Sequence, residues 1–445
     1  MADTTGRATI RHTVVYRLKC CAGSTEDADF SKAADSLASL SGVEKFERLR
    51  HIGDYDKKGS RFVRRGNLRT RASMAMIVLL ALAAPGISQA AAPSSVDCVS
   101  AVEGYSTNTV LLDLLIDPAA RAVLDKDAPQ FQAKAPPIIR NPVPPSIADI
   151  LTPRLLSPWG LFTSDELNRL DADLAVVKVT PAASAARCAR YDVTPPNLPS
   201  KLPHPALLIF EKINGFRDGP SVDAARAALK AMSTRAGWTL VFTENGAAFN
   251  SKDLQRFDAV VWNNVSGDVL TLTQRQAFQN YIAGGGGFAG FHGSAGDPVY
   301  LWDWYADTLI GARFLGHPMS PQFQMARIVV NDDGNAIGHD LGDGWSMTDE
   351  WYSFKASPRP KGVHVIATLD ENTYSPVEGG TDLRMGDHPI AWTRCIGNGR
   401  SFYTAIGHLP ESYAEVHTLT LLERGISWAA GLGKTLCRAG QEIQR

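Results

Sequence analysis

A chain of 445 residues is too long for one ordinary domain, and two or three folding units are expected. Its composition, 44% apolar and 20% charged with a formal net charge of −1, is that of a soluble globular protein. That balance leaves no electrostatic footprint for a polyanion, so no nucleic-acid partner is expected.

Residues 9–50 open with alternating apolar positions from Ile10 to Leu18, an extended pattern. An amphipathic segment follows from Asp27 to Leu40, and then a second extended stretch from Val43 to Arg50. This β-α-β piece, with IRHTVVYRLK at its head and SGVEKFERLR after the helix, resembles the first half of the stress-responsive A/B barrel (Dabb) family, a small dimeric ferredoxin-like fold. The later elements of that fold are missing, and forty-odd residues cannot bury a core of their own. Residues 1–56 are therefore expected to be a truncated fragment, which removes the basis for carrying over dimerisation. His12 and His51 read as surface residues.

Residues 57–71, KKGSRFVRRGNLRTR, hold seven Lys/Arg and no acid, and MAMIVLLALAAPGISQAAAP follows at 74–93. A basic stretch, an apolar core of about a dozen residues and a small-residue exit make the pattern of a secretory signal peptide over about 60–92. The alternatives are an uncleaved membrane anchor at 74–90 or a buried helix. The expected location is periplasmic or extracellular, with a membrane contact only if the anchor persists. After a cut near Ala90, four cysteines remain: Cys98, Cys188, Cys395 and Cys437. Of the three possible pairings, Cys98–Cys188 with Cys395–Cys437 is preferred, and four free thiols are the alternative.

Residues 93–203 read as a helical and Pro-rich connector. Thr107 to Leu124 has helical period, with Pro118 placed to start a second helix. PPIIRNPVPPS at 136–146 is extended linker, and Ser164 is placed to open a further helix to Leu174. The phrase LLDLLIDPAARAVLDKDAP looks similar to a helical appendage of exported carbohydrate-active proteins.

From His204 strands and helices alternate. Strands are expected at Ala206–Glu211, Trp238–Thr243, Phe257–Trp262 and Phe288–Phe291, with helices over Val222–Met232 and Thr273–Ala283. That rhythm predicts an α/β fold with a doubly wound, mostly parallel sheet and helices on both faces. Ligands in such folds bind beyond the carboxyl ends of the strands. Those ends carry Glu211, Glu244, Asn263 and His292, the last on the glycine turn of GGGGFAGFHGS. After His292 the chain is expected to run largely in loops rich in Trp, His and acids. The candidates there are Trp302, Trp304, His317, Asp349, Glu350, Trp351, Tyr352, Asp387, His388, Trp392, Tyr403, His408 and Tyr413. Imidazole beside carboxylate suits proton transfer or a metal, although no spacing as tight as HExxH is present.

In order, GGGGFAGFHGSA, WDWYADTLIGARFLGHP, TDEWYSF, DHPIAWT and GRSFYTAIGH resemble the trehalose-utilisation (ThuA-like) family of the class I glutamine amidotransferase-like superfamily. The resemblance covers 204–434 and places the domain at 204–436, with a tail at 437–445. It implies a flavodoxin-like fold and a pocket formed by His292, His317, Glu350, Tyr352, His388, Tyr403 and His408. Amidotransferases of the superfamily carry a cysteine on a G-x-C-x-G elbow. Here the turn is Gly290-Phe-His292-Gly-Ser294, so thiolate chemistry and glutamine hydrolysis are not expected. Ser294, a conceivable substitute, falls two residues late.

The expected function is carbohydrate metabolism: an exported hydrolase, lyase or isomerase acting on a disaccharide or keto-sugar. His292, Glu350, His408 and Tyr403 are the candidate catalytic residues. Glu211, Asn263, Trp304, Tyr352, His388, Trp392 and Tyr413 are the candidate sugar contacts. A divalent metal, if used, would take His292, His317, Glu350 and His408; no nucleotide cofactor is expected. The alternatives are a sugar-binding module without turnover, or a purely structural protein in which altering His292 or Glu350 changes nothing.

Overall fold

The computed structural model describes residues 97–98, 104–331, 337–339, 341–432 and 437. The A/B-barrel-like fragment and the signal-like segment lie outside them. Five strands form the parallel part of a nine-stranded sheet: β1 (Ala206–Phe210), β2 (Thr239–Thr243), β3 (Ala259–Trp262), β4 (Gly287–Phe291) and β13 (Gly399–Thr404). β1, β3 and β4 are buried along their whole length, as expected of apolar runs covered on both faces.

The second half was expected to be loops and is largely sheet. β6 (Phe323–Val330), β7 (Gly344–Glu350), β9 (His364–Asp370) and β12 (Pro389–Ile396) continue the sheet in the order β2-β1-β3-β4-β13-β12-β9-β6-β7. All pairings from β13 to β7 are antiparallel. In β6 and β7 exposed and buried positions alternate, so polar residues fill one face and hide the strand in a composition that looks like loop. Two short ladders stand apart, β5 (Phe314–Gly316) with β8 (Ser353–Phe354) and β10 (Val377–Glu378) with β11 (Thr381–Asp382).

In the helical segment, α1 (Leu111–Ile116), α2 (Pro118–Asp127), α3 (Pro129–Lys134), α4 (Pro153–Leu156), α5 (Ser164–Leu174) and α6 (Pro181–Cys188) bury a core of their own around Leu111, Leu124, Phe131, Phe162 and Leu170. It is a packed layer, not a connector, and it belongs with the sheet to one compact unit, Ile87–Arg445. Pro118 does begin α2, under an Asp117 cap. The cap of α5, however, is Thr163, in a capping box with Glu166, where Ser164 was expected. Cys98 is bonded to Cys188, and Cys395 to Cys437, which ties the tail residue to β12.

The α/β half adds α7 (Gly219–Ala236), α8 (Ser251–Leu254), α9 (Leu272–Ala283) and α10 (Val416–Ala429). The glycines show how closely helix and sheet approach. A Cβ on Gly287 would collide with the Ala429 carbonyl at the end of α10, and one on Gly399 with the Ile282 carbonyl of α9. Gly287 pairs with Arg400, so Gly399 points to the opposite face, and α9 and α10 cover opposite sides. Because β1 leads to β2 in one direction and β3 to β4 in the other, the winding reverses at β1/β3. The fold is thus α/β, flavodoxin-like and doubly wound.

Candidate functional site

The turn that ends β4 sets the site. His292 has φ of +33°, a positive value held in place by its surroundings. Tyr403 donates its hydroxyl to the His292 carbonyl at 2.9 Å, and the Gly293 N–H donates to Asn264 Oδ1 at 3.1 Å. Ser294 is buried, its hydroxyl donating to the Trp262 carbonyl at 3.0 Å and accepting from the Val265 N–H at 3.2 Å. That hydroxyl is committed to the turn, which removes Ser294 as a nucleophile.

The ring of His292 is aimed by its neighbours. Nδ1 lies 2.7 Å from the Ala405 carbonyl, an acceptor only, so in the neutral ring Nδ1 carries the proton and Nε2 presents its lone pair. Tyr352 stacks on the imidazole with ring centroids 4.1 Å apart. Nε2 faces Glu350 Oε2 at 3.3 Å and His408 Nδ1 at 3.1 Å. His408 Nδ1 is itself 3.1 Å from the same Glu350 oxygen, and its Nε2 faces Asp218 at 3.8 Å. The other Glu350 oxygen accepts from Gln322 Nε2 at 2.6 Å and lies 3.2 Å from His317 Nδ1.

Glu350 closes β7, whose chain direction matches that of β4 and β13 after four antiparallel steps. At sheet spacing, β7 lies roughly 20 Å from β13, so the loop after β13 must cross the top edge for His408 to reach Glu350. Asp349 anchors that crossing. Fully buried, it accepts the N–H groups of Gly407 at 2.8 Å and of His408 and Leu409 at 3.1 Å, and the Ser412 hydroxyl at 2.8 Å. Asp349 is thus the cap of that loop; Asp387 binds Ser357 and Arg359 at the surface.

Protonation follows from these contacts. Burial alone would raise the Glu350 carboxyl, but hydrogen bonds and charge from the imidazolium forms of His292 and His408 outweigh it and hold it well below the usual carboxylate range. Burial opposes the charged form of His408, yet its bond to Glu350 and the nearby Asp218 and Asp349 raise its pKa. At His317 burial prevails and the pKa falls, against the pull of Glu350.

The structure therefore brings together His292, His317, Glu350 and His408, with Tyr352 beneath them. Among the described residues, His292, Glu350 and His408 form a group whose ligand atoms all lie within 4.8 Å of one another. Other expected residues fall elsewhere. Glu211, Asn263 and Tyr413 are buried in one chain of hydrogen bonds: Arg226 to Glu211, Asn263 Nδ2 to Glu211 at 2.8 Å, and Asn264 Nδ2 to Asn263 at 3.1 Å and to Tyr413 at 3.0 Å. They support the turn from below. Glu244 is an exposed partner of Arg217.

His388 is fully engaged with Glu371 at 2.8 Å and the Tyr352 carbonyl at 2.9 Å, outside the cluster. Trp392 is in the core, donating to the Ile310 carbonyl at 2.8 Å, and Trp351 likewise donates inward to Gln324 at 2.7 Å. Trp304 stacks on Trp302 beside Phe278. Large rings are cheaper to bury than to expose, so Trp351 and Trp392 fill the interior, while Trp302 and Trp304 are partly buried and pack against it. Tyr403 touches only the turn's backbone through its hydroxyl, a positioning contact in place of the catalytic one expected. Gln322, Asp218, Phe216 and Phe323 were not singled out. Phe216 and Asp218 follow β1, where the strand-end rule applied in full would have found them. Phe323 opens a strand that the composition hid.

A family model described as trehalose utilisation (ThuA) matches residues 206–429. Similar solved structures include a ThuA-like protein from Bacteroides uniformis, with 24% identity, 53% of this chain and 94% of that chain covered, and a TM-score of 0.44. Another is a ThuA-like protein from Parabacteroides merdae, with 17% identity, 54% and 93% covered, and a TM-score of 0.40. The glutaminase domain of Trypanosoma brucei CTPS with bound acivicin has 9% identity, 53% and 98% covered, and a TM-score of 0.33. No curated protein matches the chain in sequence.

Proposed function

The chain belongs to the trehalose-utilisation (ThuA) family, whose role is carbohydrate-related, and from that premise we propose that it acts on a disaccharide or keto-sugar at a divalent-metal site made by His292, Glu350 and His408. One observation carries this reading. Two imidazole nitrogens converge on a single carboxylate oxygen, at 3.3 and 3.1 Å, while their outer nitrogens face the Ala405 carbonyl and Asp218. The Ala405 carbonyl is an outer partner of the kind that fixes the tautomer and orientation of a metal-ligating histidine, while Asp218 lies at ion-pair distance. His317, on the other Glu350 oxygen, is a further donor at the mouth. A bound ion would polarise a sugar oxygen, and the buried anion of Glu350 offsets its charge.

Acid–base chemistry without a metal is the second reading, favoured by the raised pKa of His408 beside the Glu350 anion. Glutamine amidotransfer is not part of either. The elbow position holds an imidazole, and the four described cysteines are all in disulfides. Those two bridges support our proposal that the protein is exported to an oxidising compartment. Among the described residues no helix is long and apolar enough to cross a membrane.

Metal analysis of the full chain and of His292→Ala tests the site. About one divalent ion per chain, lost in the variant, is expected. No metal in either protein would sink the metal reading and leave acid–base chemistry, tested by turnover of keto-sugars; saturable sugar binding without turnover would make the protein a binding module.

A further inference from the structure

Resting on the carbohydrate reading above, we propose that Phe216 and Phe323 form a clamp that seats the substrate as a closed pyranose ring over His408. Both phenyl groups are unusually open for their type, 40% and 38% exposed. They come from distant parts of the chain yet converge on one imidazole, with ring centroids 6.3 and 5.2 Å from that of His408. A scattered exposed phenylalanine needs no explanation. Two directed at the same site residue flank it with apolar surface beside its polar groups.

The fold fixes both rings. Phe323 pairs with Glu350 in the β6–β7 register, so its side chain and the carboxylate are cross-strand neighbours on one face of the sheet. Phe216 follows Gly215, where a Cβ would collide with Ser266 Oγ and the Gly267 nitrogen, and its own N–H donates to Ser266 Oγ at 3.1 Å. The loop is thus packed down without space for a larger residue at 215, and the ring that follows is held at the mouth.

The chemistry of the cleft selects its occupant. A pyranose has flat faces of axial C–H groups and an equatorial rim of hydroxyls. The C–H faces match the negative faces of aromatic rings, and the rim meets Asp218, His317 and Gln322, which surround the cluster. An open-chain polyol offers the same hydroxyls but no rigid C–H face, and it loses more conformational freedom on binding. The clamp therefore favours the cyclic form. Phe216 and Phe323 are positioning residues.

Calorimetry on the full chain with a panel of pyranosides including trehalose, and sorbitol as the open-chain control, tests the clamp. Metal content and thermal unfolding are measured on the same samples. Phe216→Ala and Phe323→Ala are each expected to raise the pyranoside Kd about tenfold or more, with metal content and Tm unchanged. Phe→Trp at either position is expected to retain binding, and sorbitol to bind in neither protein. Unchanged Kd in both alanine variants, sorbitol binding equal to that of the pyranosides, or no pyranoside binding by the unaltered protein would each overturn the clamp. Metal content separates the two ideas: a clamp failure with the ion retained leaves the metal site standing, whereas absence of the ion from the unaltered protein counts against the site itself.

Discussion

Two buried carboxylates lie on either side of the 292–297 turn, and they are driven in opposite directions. On the front, Glu350 is surrounded by His292, His317, His408 and Gln322, and its carboxyl is held far below the usual range despite burial. On the back, Asp297 accepts only neutral donors, the Ser266 hydroxyl at 2.6 Å and the Gly267 N–H at 2.7 Å, with Asp149 and Asp268 nearby. Burial raises it to about 7, and Asp149, despite Arg190, to about 6. Burial penalises both anions; what decides each is whether the neighbours can carry positive charge. The front is built to hold charge, and the back joins sheet and helical layer through Asp149, which binds the Asp268 N–H at 2.8 Å and pairs with Arg190.

The largest expected effect breaks the front. Glu350→Gln removes the anion that the histidines share, and we expect activity to fall about 100-fold or more, with metal content falling alongside in elemental analysis. Acidification should imitate the variant, because protons compete for the ligand nitrogens. Metal affinity should drop as pH falls through the raised pKa of His408, above its ordinary 6.5. A flat metal-binding profile between pH 8 and 6 would contradict this.

Next comes the back. A carboxyl whose folded pKa lies above its unfolded value binds more protons when folded, so its contribution to stability is fully present below the unfolded pKa. For Asp297, titrating near 7 instead of 3.8, that stability is lost as pH rises from about 4 to about 7. The change is on the order of 4 kcal/mol at most. Glu350 runs the other way, its contribution being present above the unfolded value and lost as pH falls below about 4. Urea unfolding across pH should therefore show a maximum near about pH 4, and Asp297→Asn should flatten the slope on its alkaline side. An unchanged slope in the variant would show that Asp297 is not the titrating group.

The smallest effect sharpens the comparison. Tyr403→Phe deletes the hydroxyl that donates to the His292 carbonyl, costing about 1 kcal/mol of stability. Turnover should change only a few-fold. A loss nearer 100-fold would return Tyr403 to the catalytic group.

The alternation of apolar runs from Ala206 to Phe291 was enough to read the parallel half, because fully buried strands must be continuously apolar. The strand-end rule then pointed to His292 before any contact was known. β6 and β7 were hidden, since a strand with one polar face alternates and resembles loop. Trp392 reads as a sugar platform for the same reason that it is core: sequence shows that a ring is present but not which way it faces.

By itself the sequence determined the doubly wound α/β class, the histidine on the elbow and the cysteines able to pair. These follow from local rules of period, backbone freedom and residue chemistry. Only the tertiary structure decided that Glu350, four strands from β13, meets His408. That meeting depends on Asp349 binding the N–H groups of Gly407, His408 and Leu409, a contact between residues nearly sixty positions apart that no local pattern encodes. The opposite protonation of Glu350 and Asp297 was settled in the same way, since a carboxyl's charge depends on the neighbours that folding brings to it.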